Sequence, residues 1–132
     1  MKLITRKTDY AVRALCYIVK AKDKIVSVPE LVSALKMPRP FLRKILQALN
    51  QKKILKSHKG AGGGFSLAAR PEEIFLTDII KIFQGKLQLN ECLFRRNRCP
   101  NIKGCSLRKK IQEIEHRVVK DIGNINLANL LR

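Results

Sequence analysis

The chain has no tryptophan and only 5% aromatic residues, so a core drawn from it must be aliphatic, built of Leu, Ile, Val and Ala. Acidic residues are scarce too. Ten Asp and Glu face 28 Lys and Arg, a net charge of +18. A surface that basic attracts polyanions, with nucleic acid first and acidic lipid second. Long apolar runs are missing: nothing approaches the roughly 18 residues of a membrane span. Polar residues interrupt residues 1–20 too often for a secretory signal. No nucleophile sits beside a base, and His58 and His116 look isolated, so nothing points to an enzyme. The expectation is a cytoplasmic, soluble protein of one domain plus a peripheral arm, facing DNA or RNA.

Cysteine is sparse but concentrated. Three of the four lie in residues 91–105, ECLFRRNRCPNIKGC, separated by six and then five residues. Asn, Pro, Gly and four Arg or Lys surround them, which reads as a loop. A reducing compartment argues against a disulfide framework, whereas clustered thiols suit a metal or an iron–sulfur centre. Three incidental loop cysteines are the plain alternative. Structural zinc favours closely paired cysteines. The wider spacing suits a cluster of several irons, and zinc stays open. Cys16 falls on an apolar stripe and reads as a small core residue.

Residues 8–20 predict a helix with Thr8 as N-cap, Asp9 in its first turn, and Val12, Leu15, Cys16 and Val19 facing inward. Residues 27–35 predict a second, capped by Ser27 with Glu30 at capping-box spacing. Residues 38–51 predict a third. There Leu42, Ile45, Leu46 and Leu49 point in, while Arg39, Arg43, Lys44 and Gln47 point out. Two helices across a very short turn, the second with a basic face, follow helix-turn-helix grammar.

Two short apolar segments, 54–57 and 65–68, flank a glycine-rich tip and predict a hairpin, the wing of a winged helix. A P-loop is excluded because Gly64 leads into Phe65 and a strand, and the dinucleotide fingerprint fails at the same residue. Between Lys36 and Gly60 all eight charged residues are basic, better explained by phosphates than by solubility. Arg39, Phe41, Arg43 and Lys44 are the candidate readers, with Arg39 or Arg43 on guanine edges. Lys44, Lys52 and Lys59 are candidate phosphate contacts, and Gly60, Gly62, Gly63 and Gly64 let the wing backbone approach DNA.

Residues 72–84 contain a fourth helical pattern, with Thr77 and Asp78 at its start and Gly85 at its end. Beyond the cysteines, 106–122 predicts a long helix. Its Leu107, Ile111, Ile114 and Val118 step by four, three and four, a seam suited to pairing with a second copy. Packing within one chain is the alternative, but the arm outruns the surface a small domain offers. Residues 126–131 form a closing turn. The expected architecture is mainly α with a β-hairpin wing: a winged helix-turn-helix over 1–85, a cysteine loop over 86–105, and a dimerisation helix and closing turn over 106–132.

The segments TRKTDYAVRAL, MPRPFLRKIL and KGAGGGFSL and the three-cysteine loop follow one another across nearly the whole chain. In this order they resemble the Rrf-two family of winged-helix transcription regulators. The resemblance implies a homodimer that binds a palindromic DNA operator, expected to repress, and that senses redox, nitric oxide or iron–sulfur status through a four-iron or two-iron cluster. Cys92, Cys99 and Cys105 match the family's cluster ligands, although the first interval is one residue longer than in its most familiar pattern. IscR-like members add a histidine three positions after the last cysteine. Arg108 stands there, and a guanidinium cannot ligate iron. NsrR-like members use an aspartate in the TD dipeptide, reaching across from the partner subunit, which makes Asp9 the candidate fourth ligand ahead of His116 and His58. Pro38 and Pro40 replace serines seen in IscR-like helices, so the operator need not be of that type. A regulator with zinc or with bare redox-active thiols is the alternative.

Overall fold

The computed structural model describes residues 3–22, 24–87 and 104–131. Cys92 and Cys99, two of the three clustered cysteines, lie outside the described residues. The elements run α1 (Arg6–Lys20), α2 (Val28–Leu35), α3 (Arg39–Gln51), β1 (Leu55–His58), β2 (Gly64–Leu67), a 3-10 turn (Pro71–Glu73), α4 (Leu76–Gln84), α5 (Ser106–Gly123) and a second 3-10 turn (Leu127–Leu130).

Helix α1 starts two residues before the predicted boundary. Thr5, not Thr8, is its N-cap, with Oγ1 accepting from the Thr8 amide at 3.4 Å. Thr8 is instead fully buried. The inner face is also rotated from the predicted stripe: Ala11, Ala14, Leu15 and Ile18 are buried, while Val12, Cys16 and Val19 are only half-buried. Helix α1 touches α2, α3, α4, β2 and the last 3-10 turn. A helix covered on several sides turns its small residues to the closest contacts, and alanines weigh little in a pattern search.

Ser27 caps α2 as predicted, accepting from the Glu30 amide at 3.2 Å. The Glu30 carboxylate takes a 2.9 Å bond from the Tyr17 hydroxyl, tying α2 to α1. Lys36, Met37 and Pro38 make the turn into α3, with Met37 plugged into the core.

The hairpin forms one residue further along than predicted at its first strand and one earlier at its second, pairing Leu55 with Leu67 and His58 with Gly64. Val26 joins it through two backbone bonds to Phe65, at 2.9 and 2.8 Å. A side chain on Gly64 would collide with the Val26 carbonyl, so only glycine permits this approach.

Within 72–84 the helix begins at Leu76, beside the expected start at Thr77 and Asp78, and ends before Gly85. Ile74 and Phe75 are extended because the far end of the chain pairs with them: Leu127 N donates to Ile74 O at 2.7 Å, and Leu76 N to Ile125 O at 2.9 Å. Asp78 then caps α4 by accepting from the Phe75 amide at 3.3 Å. The closing turn therefore shares the core of the helices and hairpin that precede it. Leu127 is 1% exposed in a core that is aliphatic, as the composition required. Of α5, Ile122 near its C-terminal end is buried.

Candidate nucleic-acid interface and cysteine site

Leu42, Ile45, Leu46 and Leu49 hold α3 in the core, each at most 2% exposed. That burial leaves Arg39, Arg43, Lys44 and Gln47 in solvent. Arg39 and Arg43 are four residues apart, so they share one ridge. No side chain caps α3, and Pro40 lacks an amide hydrogen. Phe41 is half-buried and meets the Tyr10 ring edge-on, centroids 5.4 Å apart at 84°. It anchors α3 to α1 at the edge of the basic face.

At the wing tip Lys59 is exposed, and the four glycines divide into two kinds. Gly60 (φ +92°) and Gly62 (φ +74°) need the left-handed region and face open space. Gly63 and Gly64 are pressed against backbone, Gly63 donating to Gly60 O at 3.0 Å. The outer pair can approach a polyanion, whereas the inner pair closes the turn. A 2.8 Å bond between His58 Nε2 and Ser66 Oγ pins the two strands.

The basic block of the sequence is split in space. Lys36, Arg39, Arg43 and Lys44 gather at the start of α3. Lys52 and Lys53 lie at its other end, about 18 Å along the helix. There they border a groove of about 420 Å³ whose lining includes Glu73 and Asp78.

Cys105 is the N-cap of α5, half-exposed, with Sγ accepting from the Arg108 amide at 3.4 Å. Arg108 thus serves the sulfur through its backbone. Asp9 is half-exposed, and its carboxylate pairs with Arg13 Nε at 3.0 Å. Both groups are accessible and of the chemistry a metal or cluster ligand needs, an acceptor sulfur and a carboxylate. Among the described residues no three His, Cys, Asp or Glu gather to hold a metal. Cys16 behaves as a packed thiol: burial pushes its pKa up, partly countered by Lys20. His116 faces a second groove, about 600 Å³, between α4 and α5, and His58 belongs to the wing.

On α5, Leu107 is 70% and Ile114 41% exposed, with Ile111 and Val118 half-buried. The predicted seam is therefore a largely uncovered apolar edge in the single chain.

Residues 4–132 match the Rrf2 family, described as iron-dependent transcriptional regulators. The chain belongs to the Rrf2 family. Its relatives include an HTH-type protein of Aquifex aeolicus (strain VF5), 33% identical over 92% of this chain and 91% of that one. The HTH-type transcriptional regulator NsrR of Shouchella clausii (strain KSM-K16) is 30% identical over 90% and 87%. Among solved structures it superposes on CymR, the global cysteine regulator of B. subtilis, with a TM-score of 0.78, 22% identity and coverage of 98% and 96%. Winged-helix architecture and a DNA-binding regulatory role, not an enzymatic one, follow for this Rrf2 chain.

One residue of this Rrf2 regulator escaped the sequence. The Gln84 side chain, at the last turn of α4, accepts from Thr5 N (3.0 Å) and Thr8 Oγ1 (2.7 Å) and donates to Leu3 O (3.0 Å). A glutamine at a helix end is ordinary, and its partners lie some 80 residues away, so no local pattern marks it. No helix among the described residues is long and apolar enough to cross a membrane.

Proposed function

We propose that this Rrf2 regulator is a cytoplasmic homodimer that binds a palindromic operator and represses, and that it reports redox, nitric-oxide or iron–sulfur status through Cys92, Cys99 and Cys105. Asp9 of the partner subunit is the fourth ligand. The observation that carries the reading is Cys105 serving as the N-cap of α5. A ligand sulfur placed there is part of the start of the helix whose apolar edge, Leu107 to Val118, would join two subunits.

When bound, a cluster would supply an oxidisable link among the four ligands. The chain's own residues do the rest. The Arg108 amide holds the Cys105 sulfur in place. Arg39 and Arg43 read base edges, and Lys44 and Lys59, with Lys52 further out, hold phosphates. Loss of the ordered Cys105 cap loosens the start of α5 and with it the spacing of the two α3 helices, which selects operator binding.

Anaerobic purification tests the reading. A brown protein with visible absorption, iron and sulfide is expected, weakened by Asp9→Ala. Colourless protein after anaerobic reconstitution would overturn it. A cluster-free thiol switch is the second reading, favoured by likeness in fold to CymR, of which the Staphylococcus aureus protein is solved in an oxidized form. Reversible loss of DNA binding on oxidation, without iron, supports that reading instead.

A further inference from the structure

Three successive helices end on a lysine in left-handed backbone: Lys22 (φ 51°) after α1, Lys36 (φ 54°) after α2 and Lys53 (φ 62°) after α3. In that region Cβ crowds the carbonyl oxygen, which glycine avoids and which other residues, Asn and Asp apart, seldom accept. Attraction between a cation and the helix carboxyl end offsets only part of this.

The surroundings of Lys36 and Lys53 differ. Lys53 completes a helix stop in which its amide donates to Asn50 O (3.0 Å) and the Ile54 amide to Leu49 O (3.0 Å). It borders a groove that Glu73 and Asp78 also line, so its surroundings include acidic residues, one paired with Arg70 and the other capping α4.

Lys36 has no such reason. Its amide donates to Val32 O at 2.9 Å, and only Met37 and Pro38 separate it from α3. Met37 is 3% exposed, and the proline after it restricts its backbone to extended conformations. The left-handed turn at 36 therefore cannot relax. The side chain there is exposed and stands three residues before Arg39, in a stretch to Gly60 that has no acidic residue. The nearest preceding carboxylate in sequence, Glu30, is engaged by Tyr17. Strained backbone and like charges both disfavour a lysine at this position in the free protein.

We infer that Lys36 is a phosphate-contacting residue of the helix-turn-helix turn, kept in a glycine position for its charge and at a cost to fold stability. The inference rests on this Rrf2 chain binding duplex DNA through α3. Strain retained by the free protein is then matched by an ion pair formed only in the complex.

Lys36→Gly, Lys36→Arg and Lys53→Gly are compared with wild type in the full chain. The readouts are thermal unfolding and fluorescence-anisotropy titration of a random-sequence duplex at several salt concentrations. Lys36→Gly is expected to melt about 3 °C higher. It should also bind roughly three- to ten-fold more weakly, with the salt slope reduced by about 0.9. Lys36→Arg should bind as wild type. Lys53→Gly should melt higher without the affinity loss. Unchanged binding by Lys36→Gly, an equal loss in Lys53→Gly, or a Lys36→Gly melting point at or below wild type would each overturn the inference. A wild-type chain that binds no duplex at all would remove the DNA-binding reading beneath it, a separate result.

Discussion

The hydroxyl of Thr8 donates a 2.7 Å hydrogen bond to the side-chain oxygen of Gln84, joining the start of α1 to the end of α4 across 76 positions of sequence. Thr8 is completely buried, so the bond has no water to fall back on. The same oxygen accepts from the Thr5 amide, and the carboxamide nitrogen holds Leu3 O. One side chain thus fixes the residues that lead into Asp9 against the residues that lead toward Cys92. Gln84→Ala strands these groups and should cost about 1–3 kcal/mol in urea unfolding. A cost near zero would mean that the network contributes nothing in solution.

Leu127 is expected to behave as a core residue although it lies beyond the long helix. Leu127→Ala should destabilise by about 2–5 kcal/mol. If the end of the chain were a detachable appendage, the denaturation midpoint would not move.

On DNA, Arg43→Ala and Lys59→Ala should fail differently. Loss of a base-reading arginine should relax choice at one operator position by about 1–3 kcal/mol. Loss of the wing lysine should weaken all sequences alike and lower the salt slope by about 1. Binding isotherms on a panel of single-base operator variants separate the two patterns. A uniform loss in both variants would contradict the division between reading and anchoring.

The exposed edge of α5 is expected to join two subunits. Ile114→Glu, at a position 41% exposed in the single chain, should leave the fold intact and shift sedimentation from dimer to monomer. A variant that still sediments as a dimer places the interface elsewhere.

The thiols should label unequally. The raised pKa of Cys16 means less thiolate at any given pH, and its alkylation rate should keep climbing at pH values where an ordinary thiol has levelled off. Cys105, a half-exposed helix cap, should label first of the two by mass spectrometry of peptides. Faster labelling of Cys16 in the native protein would contradict its packed position.

What the sequence made legible was local. Leucines at three- and four-residue steps placed α3 and its outward Arg39, Arg43 and Lys44, and Ser27 marked the start of α2 correctly. Gly64 before Phe65 announced a strand rather than a phosphate loop. The failures share a cause, which is distance along the chain. Nothing near Ile74 announces that Ile125 and Leu127 will pair with the stretch before α4. Thr8 looks like a cap until Gln84 takes its hydroxyl. The rotated face of α1 was hidden differently: Ala11 and Ala14 carry little apolar weight, yet they sit at the tightest contacts. The division of the basic block was invisible as well, because a string of lysines does not say which of them will line a groove with Glu73 and Asp78.

The pairing of residues 125–127 with 74–76 has a mechanical consequence. It clamps the C-terminal end of α5 to the body of the domain, where Ile122 is buried. An 18-residue helix is about 27 Å long. About that clamp, a tilt of only about 5° moves the Cys105 sulfur by about 2 Å. The converse holds with equal force. A shift of a couple of ångströms at Cys105 reaches the clamp as a small rotation, delivered to the strand-like pairing beside α4 rather than lost along a flexible tether.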